Sequence, residues 1–256
     1  MRVSFEAFWL PKAGNSNEEY EDAFWPSERL WKQQRDTFCC AVADGATESS
    51  FSGLWARLLV QGLCGYTAPD ELMRMLPALQ RQWCEEVDSY PLPWYAEQKA
   101  RRGAYAALLA LQLSPAPDAA EALLTWRAFA VGDACLVQMR RNVLITSFPL
   151  SASEQFGHCP YLIGSRTEFN HRLREYVLTT SGVCKTGDTF YLMTDALACW
   201  FLSRQELRGV NEDPLREITT QRTFRRLVER ERRERDHEGR PRMRNDDVTL
   251  IRLVAS

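Results

Sequence analysis

The chain has 256 residues, 45% of them hydrophobic, and a formal net charge of -2, which gives it core enough for one large domain, with two small ones as the alternative, and argues against general nucleic-acid binding. Its eight cysteines are scattered, and none forms C-x-x-C, so reduced thiols in a cytoplasmic protein are expected rather than a disulfide framework. The N-terminus lacks a signal-peptide layout, and no apolar run reaches bilayer length; FYLMTDALACWFL is short and carries Asp195, so no membrane partner is expected.

In chain order, Arg2 to Leu10 alternates loosely and reads as a first strand. Gly14 to Glu19 is a polar loop, and Glu21-Asp22 stand directly before Ala23-Phe24-Trp25. Phe38 to Ala43 is a short apolar run, read as a buried strand, and it stops at Asp44-Gly45. Ser49 or Ser50 then suits a helix N-cap, with Phe51, Leu54, Trp55, Leu58 and Leu59 following at helical spacing. Asp70 can cap a helix from about Glu71 to Val87, interrupted or kinked at Pro77. Trp94 to Arg102 looks helical, and AYAALLALQL is ambiguous: its composition favours helix, its length and position a strand. SPAPDAAE is a loop.

Leu123 to Val131 reads as a strand ending in Gly132-Asp133. Cys135 to Met139 and Val143 to Phe148 continue it as an antiparallel meander. Residues 149–166 are irregular and rich in turn formers, and Leu173 to Thr180 reads as a strand. Thr189 to Thr194 is a strand ending in Asp195, followed by a helix over Ala196 to Leu207 with Leu197, Trp200 and Phe201 on one face. Residues 221–244 interleave arginines with acids, which suits a solvated helix; the alternative is a docking surface for an acidic partner. Asn245-Asp246-Asp247 precedes a closing strand, VTLIRLV. No internal repeat or linker divides the chain, so a single domain over 1–256 is expected.

Asp44, Asp133, Asp195 and Asp246 each stand where an apolar strand begins or ends, and Glu21-Asp22 precede a fifth. Carboxylates converging on one sheet edge repel unless cations hold them. The three histidines, His158, His171 and His237, have no metal-ligand spacing, which disfavours zinc. An all-oxygen cluster, including the Gly45 carbonyl, suits Mg2+ or Mn2+, and two such ions about 4 Å apart can activate a shared water and clamp a phosphoryl group.

The motifs EYEDAF, VADGATESS, AVGDACLV, GDTFYLMTDAL and RNDDVTLI resemble, in the same order, the signatures of the metal-dependent Ser/Thr protein phosphatases of type 2C (PPM). The resemblance implies an α+β fold, a four-layer α-β-β-α sandwich of two antiparallel sheets flanked by helices. It implies a binuclear Mn2+ or Mg2+ centre that hydrolyses phosphoserine and phosphothreonine by direct attack of a metal-bound hydroxide. By motif, Asp44 would bridge the metals, the Gly45 carbonyl and Glu21 or Asp22 would serve the second, and Asp195 and Asp246 the first. Asp133 with Asp195 would serve a third, weaker position. Asp44, Asp195 and Asp246 would carry catalysis. A phosphorylated protein is the implied substrate, with a cognate Ser/Thr kinase as its counterpart.

The departures are equally specific. Asn17 stands where the family has a phosphate-binding arginine, Ala46-Thr47-Glu48 follow Asp-Gly where many members have glycines or a general-acid histidine, and Ala196 and Asp247 replace a glycine and an asparagine. They define an alternative function: a catalytically weak or inactive regulatory module on the same fold. Other chemistries fit less well. Cys135 and Arg141 have the C-x5-R spacing of cysteine phosphatases, but inside an expected strand, and neither a G-x-S-x-G elbow nor a P-loop is present. Trp55 and Trp200 read as core or cleft-wall residues.

Overall fold

A computed structural model describes residues 3–26, 37–47, 49–66, 68–91, 93–116, 124–157, 159–208 and 213–255. Arg2, Glu48, Leu123, His158 and 117–121 of the expected loop lie outside it. The chain divides into two compact units, both discontinuous in sequence: residues 1–20, 135–158 and 186–256 form one, and 21–134 with 159–185 the other.

The second unit carries a six-stranded sheet in which β2 (Ala23–Trp25), β3 (Phe38–Gly45), β4 (Tyr105–Pro115), β5 (Leu124–Val131) and β9 (Leu178–Cys184) follow one another, and β8 (Ile163–Gly164) also pairs with β4. All of these pairings are antiparallel. The ambiguous segment AYAALLALQL is strand β4. Its residues from Ala106 to Leu111 are buried without a break, because both faces of a central strand are covered. Ala41, Ala43, Ala106 and Ala110 alternate along β3 and β4, and their small side chains admit α1 (Ser52–Leu63) through Trp55, Leu58 and Leu59. Above α1 lies α2 (Pro69–Asp88), which contributes Leu72, Leu76, Leu79 and Trp83 to the same core. It runs through Pro77, and its start is closed by Glu71, whose carboxylate accepts from the Ala68 N–H at 3.1 Å, so Asp70 is not the cap. The short α3 (Trp94–Ala100) follows.

The first unit carries a five-stranded antiparallel sheet in the order β1 (Val3–Leu10), β11 (Val248–Ala255), β10 (Asp188–Met193), β6 (Cys135–Arg140), β7 (Val143–Phe148). Two helices cover it: α5 (Asp195–Arg208) buries Leu197, Trp200 and Phe201, and α6 (Gln221–Arg233) buries Phe224, Leu227 and Val228. The Trp200 indole N–H donates to the buried Glu231 carboxylate at 3.0 Å and ties the two helices together.

Beyond the cap of α2, four expectations are corrected. The β5–β6–β7 meander is a single hairpin, β6–β7; β5 belongs to the other sheet, because the Gly132-Asp133 turn carries the chain from one sheet to the next. Leu173 to Thr180 is not one strand: Leu173–Tyr176 is a helical turn, α4, and the strand β9 begins at Leu178. Helix α1 is capped by neither Ser49 nor Ser50; Phe51 takes the N-cap position in a left-handed conformation (φ 61°), and Ser49 Oγ donates instead to the Ala46 carbonyl. The loop at Gly14 to Glu19 closes in a 3-10 turn, Asn17–Glu19, because Glu19 accepts from the Ser16 N–H at 2.8 Å. Among the described residues, no helix is long and apolar enough to cross a membrane.

Candidate metal centre

In the six-stranded sheet the register Ala23↔Ala43, Ala43↔Leu108 and Leu108↔Val131 runs in one line across β2, β3, β4 and β5. Glu21-Asp22, Asp44-Gly45 and Asp133 stand just beyond that line, at one end of the sheet. The antiparallel pairing therefore gathers acids that lie far apart in the chain, from 22 positions (Asp22 to Asp44) to 112 (Glu21 to Asp133).

Gly45 fixes how closely this end is built. A Cβ there would stand 2.6 Å from the Glu21 carbonyl oxygen and 2.9 Å from the Ser52 carbonyl carbon, so only glycine allows the chain before β2 to lie against the Asp44-Gly45 turn. Ser52, fully buried at the start of α1, donates its hydroxyl to Glu21 Oε1 at 2.5 Å and orients that carboxylate. The Ala46 N–H donates to the Tyr105 carbonyl at 2.9 Å, which holds the turn to the start of β4. Gly132 (φ 96°) turns tightly over β4: a Cβ there would be 2.5 Å from that of Ala107, the register partner of Asp44. Asp22 is buried, while Glu21, Asp44 and Asp133 are partly exposed.

Asp195 and Asp246 belong to the other unit, at one end of the five-stranded sheet. Met193 pairs with both Leu250 and Cys135, and Leu10 with Val248, so the residues after β10 and before β11 emerge together. Thr194 and Thr249, both buried, lock that end: the Thr249 N–H donates to Thr194 Oγ1 at 2.9 Å, and the Thr194 N–H to the Thr249 carbonyl at 3.2 Å. Asp195 is the first residue of α5, where a carboxylate is favoured by the helix dipole. Its Oδ2 accepts from Arg244 Nη2 at 2.6 Å. Asp246 Oδ1 accepts from the Asp247 N–H at 3.0 Å. Asp247, buried, accepts from the Lys12 N–H at 2.8 Å, which gives this acid a structural task. The Arg232 guanidinium donates to the Asp246 and Pro11 carbonyls; burial pushes its pKa down, opposed by Asp247 and Asp246.

The sequence does not single out Ser52, Thr194, Thr249 or Arg244. Ser52 lies inside an amphipathic helix pattern, and Arg244 is one of many arginines in its segment. Asn17 is exposed on its 3-10 turn, and Ala196 is buried in α5. The cysteine-phosphatase alternative has no support in the fold: Cys135 is buried in β6, paired with Met193, and Arg141 sits in the β6–β7 turn.

Among the described residues, no group of three or more His, Cys, Asp or Glu side chains gathers closely enough to hold a metal ion. The donor chemistry nevertheless suits hard cations: carboxylates and the carbonyl of Gly45, at a position where a Cβ would fill the space beside the Glu21 backbone.

No family model matches the sequence, and no curated protein matches it. Solved structures do match. The photosystem II phosphatase PBCP is 14% identical, with 100% of this chain and 99% of that chain covered and a TM-score of 0.56. The serine/threonine phosphatase PstP/Ppp of Mycobacterium tuberculosis is 16% identical, with 99% of each chain covered and a TM-score of 0.58. The catalytic domain of PstP in complex with 2 manganese ions is 15% identical, with 98% of each chain covered and a TM-score of 0.55. The likeness is one of fold: two antiparallel sheets flanked by helices, the fold of the type 2C Ser/Thr phosphatases.

Proposed function

We propose that this chain is a Mn2+- or Mg2+-dependent protein serine/threonine phosphatase, a single domain over 1–256 that hydrolyses phosphoserine and phosphothreonine by direct attack of water, without a phosphoenzyme. The observation that carries the reading is the close packing of Glu21 and Ser52 against Gly45, the residue after Asp44, on a fold whose neighbours include a phosphatase with manganese bound. Asp44, Asp195 and Asp246, with the Gly45 carbonyl, Glu21 or Asp22, and Asp133 for a weaker position, are the residues that would hold the ions. When bound, the ions supply the positive charge that activates a water and neutralises the phosphoryl oxygens. Ser52 keeps the Glu21 carboxylate turned, and the Thr194–Thr249 lock sets the spacing of the residues that carry Asp195 and Asp246. The substrate is a phosphorylated protein, supplied by a Ser/Thr kinase. The cytoplasm is the proposed location, since its reducing conditions suit eight scattered cysteines without a C-x-x-C pair.

A second reading, a regulatory module with little or no turnover on the same fold, is favoured by one observation: Asp195 is already neutralised by Arg244. Aryl phosphate hydrolysis by wild type and Asp44→Asn, in Mn2+ and in chelator, separates the two. The phosphatase reading expects turnover that needs Mn2+ and falls at least about a hundredfold in the variant. Turnover that survives Asp44→Asn overturns it, and Mn2+ binding without turnover establishes the second reading.

A further inference from the structure

Helix α6 carries six arginines and two glutamates over Gln221–Arg233, a net charge of +4 on a chain whose formal net charge is -2. We propose that its outer face is a docking surface for an acidic segment of a partner protein, a run of Asp and Glu side chains gripped by the guanidinium groups. Nothing in this face draws on the metal centre.

The helical period sorts the residues. Phe224, Leu227, Val228 and Glu231 are buried, so the opposite side carries Arg222, Arg225, Arg226, Glu229 and Arg233, and all five are exposed. They form a stripe about 16 Å long. Glu229 is the one acid on it, and it serves Arg233 at 4.0 Å. Arg222, Arg225 and Arg226 pair with no carboxylate among the described residues. Arginines elsewhere in the segment do find acids: Arg230 pairs with Glu231, Arg240 with Asp236 and Glu238, and Arg242 with Glu234.

The unpaired stripe works against the helix that carries it. Arg222 stands three positions from Arg225 and four from Arg226, spacings at which like charges repel across a helix surface. All three lie in the first two turns, where the macrodipole favours acids, and the first turn has none. An acidic run laid along the stripe relieves both effects. The stripe is also held still: Thr220 accepts from the Thr223 N–H at 3.1 Å, Gln221 Oε1 from the Trp9 N–H at 3.3 Å, Phe224 stacks on Phe8, and Arg232 donates to the Pro11 carbonyl at 3.0 Å. A partner therefore orders side chains on a backbone already in place.

The chemistry selects a peptide over other anions. A membrane-surface helix inserts its apolar face into lipid, and here that face is buried in the core. A nucleic-acid surface is basic over a broad area, whereas this is a strip on a chain of net negative charge. Each arginine offers a planar fork that fits a carboxylate with two parallel hydrogen bonds. About five extended residues span the stripe.

The test follows the fluorescence anisotropy of a labelled Asp/Glu peptide of about ten residues, titrated with the full chain. Wild type should bind it with a micromolar Kd at low salt, weakened about tenfold or more between ~50 and ~500 mM salt. Arg222→Glu combined with Arg226→Glu should weaken binding about tenfold or more, while its urea midpoint holds or rises, since acids near a helix start suit the dipole. Arg74→Glu combined with Arg81→Glu, at two exposed positions of α2, makes the same change in total charge and should leave affinity within about twofold. Equal affinity in wild type and the α6 variant overturns the proposal, and so does an equal loss in the α2 variant, which makes total charge the cause. Absence of peptide binding at low salt overturns it too. Tighter binding of a single-stranded oligonucleotide of matched charge, or of phosphatidylserine vesicles, overturns it in favour of that partner.

Discussion

Gly45 and Ser52 both hold the chain before β2 against the Asp44-Gly45 turn. A methyl group on Gly45 would press on two backbone atoms, the Glu21 carbonyl oxygen at 2.6 Å and the Ser52 carbonyl carbon at 2.9 Å, neither of which can rotate away. Gly45→Ala should therefore cost about 1–3 kcal/mol, the usual penalty of overpacking, read as a lower urea midpoint. An unchanged midpoint would show that the turn relaxes freely. Ser52→Ala should act differently. It removes the hydroxyl that holds Glu21 Oε1, so beyond about 1 kcal/mol of stability it should weaken Mn2+ binding in calorimetry. Equal Mn2+ affinity in wild type and variant would mean that Glu21 needs no such orientation. The sequence makes Asp44-Gly45 legible because the pair ends an apolar run abruptly. Ser52 is hidden because a serine in the first turn of a helix looks like surface, and only the three-dimensional return of residue 21 makes it a partner.

Helix α6 shows what an arginine-rich segment conceals. Charge alternation reads as a solvated helix, and most of its arginines are indeed exposed. Yet Phe224, Leu227, Val228 and Glu231 fall at helical spacing and are buried, and Phe224 stacks on Phe8 of β1 at 5.8 Å between ring centroids. The helix is a wall of its unit's core that exposes its charges on the other side. Phe224→Ala should cost about 3–5 kcal/mol, as large-to-small core changes do. Thr220→Ala should cost about 1 kcal/mol, because Thr220 Oγ1 accepts from the Thr223 N–H at 3.1 Å as the N-cap. Chemical denaturation of both variants checks the order; a Phe224 variant as stable as wild type would mean that α6 adds little to the core. The misread elements share a cause. Leu173 to Thr180 and the β5–β6 turn have local patterns compatible with strand and hairpin, and the outcome is decided by partners far along the chain: β9 by β5, and β6 by β10, whose register partners lie 48 (Arg140↔Asp188) to 58 (Cys135↔Met193) positions away. Propensity and periodicity describe a residue's neighbours in sequence and carry no such information.

At the scale of the molecule, acids collect at the strand ends of both units, Asp44 in one and Asp195 and Asp246 in the other. An ion bound by the folded chain and not by the unfolded one stabilises it by mass action. At a hundred times its dissociation constant the gain is about 2.7 kcal/mol. For a chain of this length each kcal/mol raises Tm by about 2–4 °C. Excess Mn2+ should therefore raise Tm by about 5–10 °C over chelator. Asp44→Asn should abolish that increment, because it removes a ligand, whereas Phe224→Ala should lower Tm in both conditions and leave the increment in place. This contrast separates loss of the ion from loss of the fold, which a single melting curve cannot do. A wild-type curve that is the same in Mn2+ and chelator would sink the metal centre at any level of activity. An increment that persists in Asp44→Asn would place the ion at some other group of oxygens.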